Sequence, residues 1–140
     1  MQEEKSKRPF IAVRAIITDA SDKVLILKRD ATSYGDDEWC LPGGKIDFGQ
    51  TAADAVAREV IEETSLVCKE IKFLFYQDSL PDENLELHFV NLVFLCKVTG
   101  SIKLNAESSD FAWLGPDEVP KYKIAFRNDK TLIQYWQLNP

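Results

Sequence analysis

The sequence predicts a single mixed domain of the α/β (α+β) class, in which helices pack against a mixed sheet. Its 140 residues suit one domain whose core needs no covalent staples. Apolar segments of strand type and two helical segments account for most of the chain. No internal repeat, low-complexity tract or linker divides the sequence. We therefore predict a polar tail at residues 1–8 and one domain at residues 9–140.

The strands are predicted from apolar and aromatic runs that turn residues interrupt. They lie at residues 8–18, 23–29, 69–77, 85–98 and 111–114. The first two flank a turn-like stretch from Asp19 to Asp22, and this order predicts a hairpin. Polar loops are expected at residues 30–38 and 78–84.

The first helix follows the Pro42-Gly43-Gly44 turn, and its start is well marked. Thr51 followed three residues later by Asp54 resembles a capping box, and alanines and valines supply helix formers and a small apolar face. A second helix is expected at residues 128–138, after a brief helical turn at residues 115–118.

Three glutamates share one side of the first helix. Because each residue rotates the helix by about 100°, Glu59, Glu62 and Glu63 fall within an arc of about 100°. Like charges so spaced near a helix C-terminus repel, and Arg58 is the one local counter-charge. A bound Mg²⁺ would relieve the repulsion, since it takes carboxylate and phosphate oxygens as ligands. The alternative is an amphipathic surface helix whose glutamates face water.

The flanking residues favour the metal site. They resemble the signature of the Nudix (MutT-like) hydrolases, G-x5-E-x7-R-E-U-x-E-E-x-G-U, in which U is aliphatic. The matching positions are Gly44, Arg58, Glu59, Val60, Glu62, Glu63 and Leu66, and Leu41-Pro42-Gly43 resembles the usual lead-in.

Two positions depart from that signature. Gln50 replaces the first glutamate, so it can keep a hydrogen bond but loses a charge, and we expect weaker or altered metal binding. Ser65 replaces the last glycine, which normally ends the helix in a left-handed conformation. We expect a strain of about 1 kcal/mol there.

The resemblance implies the α/β/α sandwich of the family and hydrolysis of a diphosphate bond in a nucleoside diphosphate linked to another group. It implies Mg²⁺ or Mn²⁺ as the cofactor, with Glu59, Glu62, Glu63 and the Gly43 carbonyl as its ligands. Arg58 would fix one of these carboxylates by a charged hydrogen bond.

The remaining site residues are less constrained. The resemblance leaves the general base open between Glu59 and Glu107, which lies in a loop and has a solvated surface charge as its alternative. Arg29 is a candidate phosphate ligand or a plain surface arginine. Gly44 and Lys45 complete the substrate-binding candidates.

The resemblance favours ADP-ribose or a similar nucleotide sugar as the substrate, because Pro81 followed by His88 resembles the region after the signature in ADP-ribose pyrophosphatases. Nucleoside triphosphates such as a modified dNTP or CTP are the alternative, and a Nudix-like module that senses a nucleotide without cleaving it is another. The aromatic residues that could stack a base, each with core or loop packing as its alternative, are Tyr34, Trp39, Phe48, Tyr76 and Phe89.

The composition of the chain argues against several classes of partner. A net charge of −6 argues against a nucleic acid polymer but allows a small nucleotide bound through metal ions. No apolar run reaches the length of about 20 residues that spans a membrane.

Cys40, Cys68 and Cys96 form no C-x-x-C pair, so neither a disulfide framework nor a zinc site is indicated, and a reducing cytoplasm fits. A homodimer is left open.

Overall fold

A computed structural model describes residues 7–30, 37–83 and 86–138. Within these residues the chain forms seven strands, two α-helices and one 3-10 helix. The strands are β1 (Phe10–Ile16), β2 (Val24–Arg29), β3 (Trp39–Cys40), β4 (Gly43–Lys45), β5 (Val67–Ser79), β6 (Phe89–Thr99) and β7 (Ser108–Leu114). The helices are α1 (Ala52–Thr64), the 3-10 helix (Pro116–Lys121) and α2 (Asn128–Leu138). No helix in these ranges is long and apolar enough to cross a membrane.

The strands divide between two sheets, whereas the sequence suggested one. A four-stranded sheet has the order β4-β1-β6-β5, and a three-stranded sheet has the order β3-β2-β7. The first is mixed, because β1 runs parallel to β6 and antiparallel to β4. The second is antiparallel throughout.

Helices cover both faces of β1 and β2. On one face, Val13 and Leu25 pack against α1, and on the other Ile16 and Ile26 pack with Leu132 of α2. Strands buried on both faces read as continuous apolar runs, which is how these two appear in the sequence. The predicted α/β/α sandwich is therefore confirmed.

The predicted hairpin of the first two strands is confined to their ends. The bridge pairs Thr18 with Val24, and the Leu25 N–H donates to the Ile17 carbonyl at 2.9 Å. On one side β1 is already paired with β6 over its full length, and on the other it is paired with β4 at residues 12–14. It therefore has no free edge for β2, which pairs with β7 instead.

Both ends of α1 carry the caps that the sequence indicated. The Thr51 hydroxyl accepts a hydrogen bond from the Asp54 N–H at 3.1 Å. Ser65 ends the helix in the left-handed conformation with φ of 68°, and its N–H donates to the Ile61 carbonyl at 3.0 Å. Its hydroxyl donates to the Lys103 carbonyl at 2.9 Å, a contact that glycine could not make.

We expect a glycine at position 65 to be better tolerated than an alanine. Ser65→Ala loses the hydroxyl contact and keeps the backbone strain, whereas Ser65→Gly loses the contact but relieves the strain. The glycine variant should exceed the alanine variant by about 1 kcal/mol in free energy of unfolding. Urea denaturation checks this, and equal midpoints would show that position 65 stores no strain.

Candidate active site

The three glutamates of α1 differ sharply in burial. The Glu63 residue is only 7% exposed. The Glu59 side chain is 13% exposed, and the Glu62 side chain is 52% exposed. The strip therefore runs from the protein interior to solvent, and only its inner end is withdrawn from water.

Arg58 joins the outer carboxylates of this strip. Its guanidinium lies 3.1 Å from both Glu59 and Glu62 and 3.3 Å from Asp47. Partial desolvation opposes its charge, but these three carboxylates outweigh that effect and raise the pKa of Arg58. The amide oxygen of Gln50 accepts hydrogen bonds from Arg58 at 3.4 Å and from the Asp47 N–H at 3.2 Å. Gln50 thus keeps a contact with Arg58, and Asp47 places a further negative charge beside the Arg58 guanidinium.

Glu63 is held in an environment that disfavours its charge. Its carboxylate accepts the Gly43 N–H at 3.1 Å. Burial is the main cause that raises the pKa of Glu63 well above its usual range, and contact with the Glu59 carboxyl adds to it. Arg14 and the Gly43 N–H offset this only in part.

Gly43 and Gly44 are required by close packing. A side chain at Gly43 would place its Cβ 1.9 Å from the Val13 carbonyl oxygen on β1. One at Gly44 would come within 2.8 Å of the Glu59 carboxylate. The resemblance implied a metal ligand at the Gly43 carbonyl, and the structure shows that the missing side chain lets β4 pair with β1. Gly44 leaves room for Glu59.

A cavity of about 330 Å³ lies beside the buried end of the strip. It gathers several residues that the sequence singled out, namely Arg29, Gly43, Gly44, Lys45, Glu63 and Glu107. Pairing of Arg29 with Ser108, together with a 3.0 Å hydrogen bond from the Asp30 N–H to the Glu107 carbonyl, brings the Glu107 loop to this cavity. Arg58, Glu59 and Glu62 are not among the residues that line it.

Sequence reasoning missed two prominent lining residues, Arg14 and Phe126. Arg14 is 5% exposed, and its Nη1 donates to the Leu41 carbonyl at 3.0 Å. A charged residue inside the apolar run of β1 was the signal that could have revealed it. Phe126 lies in an irregular segment before α2, where no periodic pattern marks it.

The aromatic residues that could stack a base differ in their position relative to the cavity. Phe89 lines the cavity, whereas Trp39 packs edge-on against Tyr122 with 5.1 Å between ring centroids. Phe48 and Tyr76 are exposed outside the cavity lining. Tyr34 lies outside the described residues.

Cys40 also lines the cavity, but it lacks the character of a nucleophile. Burial is the main cause that raises the pKa of its thiol, and Arg14 and Arg29 counter this only in part. All three cysteines are free thiols, as expected for a chain without a disulfide framework.

The carboxylates of α1 are directed to protein partners. Among the described residues, no three Asp, Glu, His or Cys side chains converge as the ligands of one ion. Arg58 engages Glu59 and Glu62, and the Gly43 N–H engages Glu63. Carboxylate oxygens still suit a hard divalent cation. The Glu59 and Glu63 carboxyls are in contact, and Glu63 is buried where its negative charge is disfavoured.

Comparison with known proteins agrees with this geometry. The family model described as NUDIX domain matches residues 8–135. A protein from Methanocaldococcus jannaschii named ADP-ribose pyrophosphatase is 32% identical over 130 residues, which cover 91% of this chain and 73% of that protein. Nucleoside triphosphatase NudI from Escherichia coli is 28% identical over 104 residues, which cover 68% and 74%. The crystal structure of a MutT protein from Methanosarcina mazei Go1 is similar in fold, with a TM-score of 0.82, 23% identity and coverage of 95% and 97%.

We expect Glu63→Gln to stabilise the metal-free protein, because it removes a buried charge beside Glu59 and keeps an oxygen for the Gly43 N–H. The gain should be on the order of 1 kcal/mol at neutral pH. A carboxyl with a raised pKa loses its stabilising contribution as pH rises through that pKa, so the gain should shrink on acidification.

Urea denaturation in the presence of a chelator, repeated from acidic to neutral pH, tests this expectation. Glu62→Gln is the matched control, since its half-exposed side chain should change stability by only about 0.5 kcal/mol or less. A Glu63→Gln variant that is less stable than the wild type at neutral pH would contradict the assignment of a disfavoured charge.

Proposed function

The chain belongs to the NUDIX domain family and is a hydrolase acting on phosphoanhydride bonds; on this premise we propose a divalent-metal-dependent pyrophosphohydrolase that cleaves ADP-ribose or a similar nucleotide sugar. The observation that carries the proposal is the contact between the Glu59 and Glu63 carboxyls at the edge of a cavity that cations also line. Such an arrangement suits a diphosphate, whose negative charge needs both metal ions and protein cations.

Mg²⁺ or Mn²⁺ would be held by Glu59, Glu62, Glu63 and the Gly43 carbonyl. A bound ion would supply positive charge to neutralise the diphosphate oxygens. The structure supports this set through the burial of Glu63, whose charge the protein alone compensates incompletely. Arg58 would hold Glu59 and Glu62 in place, since it contacts both at 3.1 Å.

Three cations on the cavity wall are the proposed phosphate ligands. Arg14, Arg29 and Lys45 all line the cavity that Glu63 reaches. Guanidinium groups bind phosphate oxygens in a bidentate manner, so the two arginines suit the diphosphate of the substrate. The backbone of Gly44, which has no side chain to block access, completes this wall.

Glu107 is the proposed general base. It is an exposed residue that lines the cavity, so water reaches it there. Glu59, the other candidate, is already engaged by Arg58 at 3.1 Å and by Glu63. A base must lie within reach of the attacking water and be free to take its proton, and Glu107 meets both conditions better.

A nucleotide sugar is favoured over a nucleoside triphosphate for one reason. The relative named ADP-ribose pyrophosphatase aligns over 91% of the chain, whereas the relative named nucleoside triphosphatase aligns over 68%. Hydrolysis of a nucleoside triphosphate is the second candidate. A nucleotide sensor without activity is the third, and the intact Arg58 network argues against it. The buried or half-buried free thiols fit the proposed cytoplasmic location.

We expect Glu59→Gln and Glu62→Gln to lower kcat/KM for ADP-ribose by about 100-fold or more in the presence of Mg²⁺. Glu70→Gln is the control, because Glu70 is an exposed carboxylate on β5 that pairs with Lys97 at 3.3 Å outside the cavity. The assay measures AMP release, and it is repeated with nucleotide sugars, dinucleoside polyphosphates, NTPs and dNTPs.

The products separate the candidates. AMP without pyrophosphate indicates a diphosphate sugar, whereas pyrophosphate release indicates a triphosphate substrate. If none of the compounds is cleaved while one binds tightly, the sensor replaces the enzyme as the function. Activity that survives in both glutamate variants would contradict the proposed metal site.

We expect Glu107→Gln to lower kcat by about 100-fold or more while the Mg²⁺ concentration for half-maximal activity stays unchanged. A base outside the metal ligands should affect proton removal without affecting ion binding. A Glu107→Gln variant with near-normal kcat would return the role of base to Glu59.

A further inference from the structure

Phe126 occupies a backbone conformation that its residue type avoids. Its φ is 58°, and the next residue, Arg127, has φ of 56°. An aromatic residue in the left-handed region is an outlier, since glycine or asparagine would be accommodated with less strain. Strained positions of this kind persist where the surrounding structure enforces them, often beside functional sites.

The Phe126 ring lies against both arginines of the cavity wall. The Arg14 Cζ atom is 5.0 Å from the ring centroid, and the Arg29 Cζ atom is 4.8 Å from it. The ring of Phe89 meets it edge-on at 5.6 Å. Phe126 is 9% exposed, so the contacts take place away from bulk water, where cation–π attraction is strongest.

A set of hydrogen bonds fixes the ring relative to Arg14. The Leu41 carbonyl accepts from Arg14 at 3.0 Å, and the Leu41 N–H donates to the amide oxygen of Asn128 at 2.9 Å. The amide nitrogen of Asn128 donates to the Phe126 carbonyl at 3.2 Å. One residue of the β3–β4 connection thus anchors both the arginine and the strained segment.

A ring and a carbonyl orient a guanidinium without neutralising it. The Glu63 carboxylate also interacts with Arg14, so the ring and the carbonyl hold a guanidinium that offsets this carboxylate and still lines the cavity. In a chain of net charge −6, aromatic support is therefore a means of keeping positive charge available on the cavity wall.

We propose that Phe126 is a positioning residue that holds Arg14 and Arg29 towards the diphosphate of the substrate. The identity of that substrate rests on the proposed function, but the placement of the two arginines by the ring does not. Phe126 acts through the arginines and touches no reacting atom.

Steady-state kinetics of Phe126→Leu and Phe126→Tyr with ADP-ribose and Mg²⁺ test the proposal. Phe126→Leu should raise KM by about five- to tenfold and change kcat by less than about twofold, whereas the tyrosine ring should restore a near-normal KM. Phe73→Leu is the matched control, because that ring contacts Phe94 at 5.5 Å and neither arginine. Equal impairment of the leucine and tyrosine variants, or a fall in kcat at constant KM, would overturn the proposal.

A double-mutant cycle separates positioning from general stability. If the ring acts through both arginines, Phe126→Leu should raise KM less in the Arg29→Met background than in the wild type, and likewise less in the Arg14→Met background. Fully additive effects in both cycles would mean that Phe126 affects binding by another route, and the proposal would fail.

Calorimetric binding of inorganic pyrophosphate to the metal-free protein distinguishes this inference from the proposed function. Weaker pyrophosphate binding by Phe126→Leu, with normal binding by Phe126→Tyr, supports the positioning role even if no nucleotide is cleaved. If the wild type does not bind pyrophosphate, or if Phe126→Leu binds it equally well, the positioning role is wrong whatever the enzyme hydrolyses.

Discussion

The burial of the Glu63 carboxylate against the Gly43 N–H is the constraint on which the candidate site depends. This 3.1 Å hydrogen bond joins the end of α1 to the short strand β4, which pairs with β1 in the middle of the fold. It brings the strip of glutamates beside the cavity wall. The cost is a buried negative charge in contact with a second carboxyl, an arrangement that folding alone does not favour.

Neighbouring residues compensate or support the charges around Glu63. Arg58 compensates the outer carboxylates, and Gln50 supports Arg58 with an amide oxygen where the family signature has a glutamate. The positive charges of Arg14 and Arg29, which line the cavity, are supported by the ring of Phe126. Glu63 and the two arginines thus line a shared space of about 330 Å³, which is suited to an anionic ligand that arrives with cations.

Local patterns predicted local structure well. The second helix was expected at residues 128–138, and α2 has these bounds, because its composition and turn signals lie within one segment. The cap at Thr51 follows from spacing over a single turn. The pairing of strands was less predictable, since adjacent β segments favour a hairpin unless another strand occupies the edge. Only the long-range pairing of β1 with β6 shows that this edge is taken.

The α/β class, the family signature and the row of glutamates could be predicted from the sequence, because helical periodicity and motif spacing are properties of neighbouring residues. Tertiary structure alone decided which glutamate is buried, how Gly44 makes room for Glu59, and that Arg14 meets Phe126 across 112 positions of the chain. Burial and electrostatic contact depend on segments that are distant in sequence and are brought together only when both faces of the strands are covered. The strained conformation of Phe126 is likewise set by its partners, since nothing in its neighbouring residues calls for a left-handed aromatic.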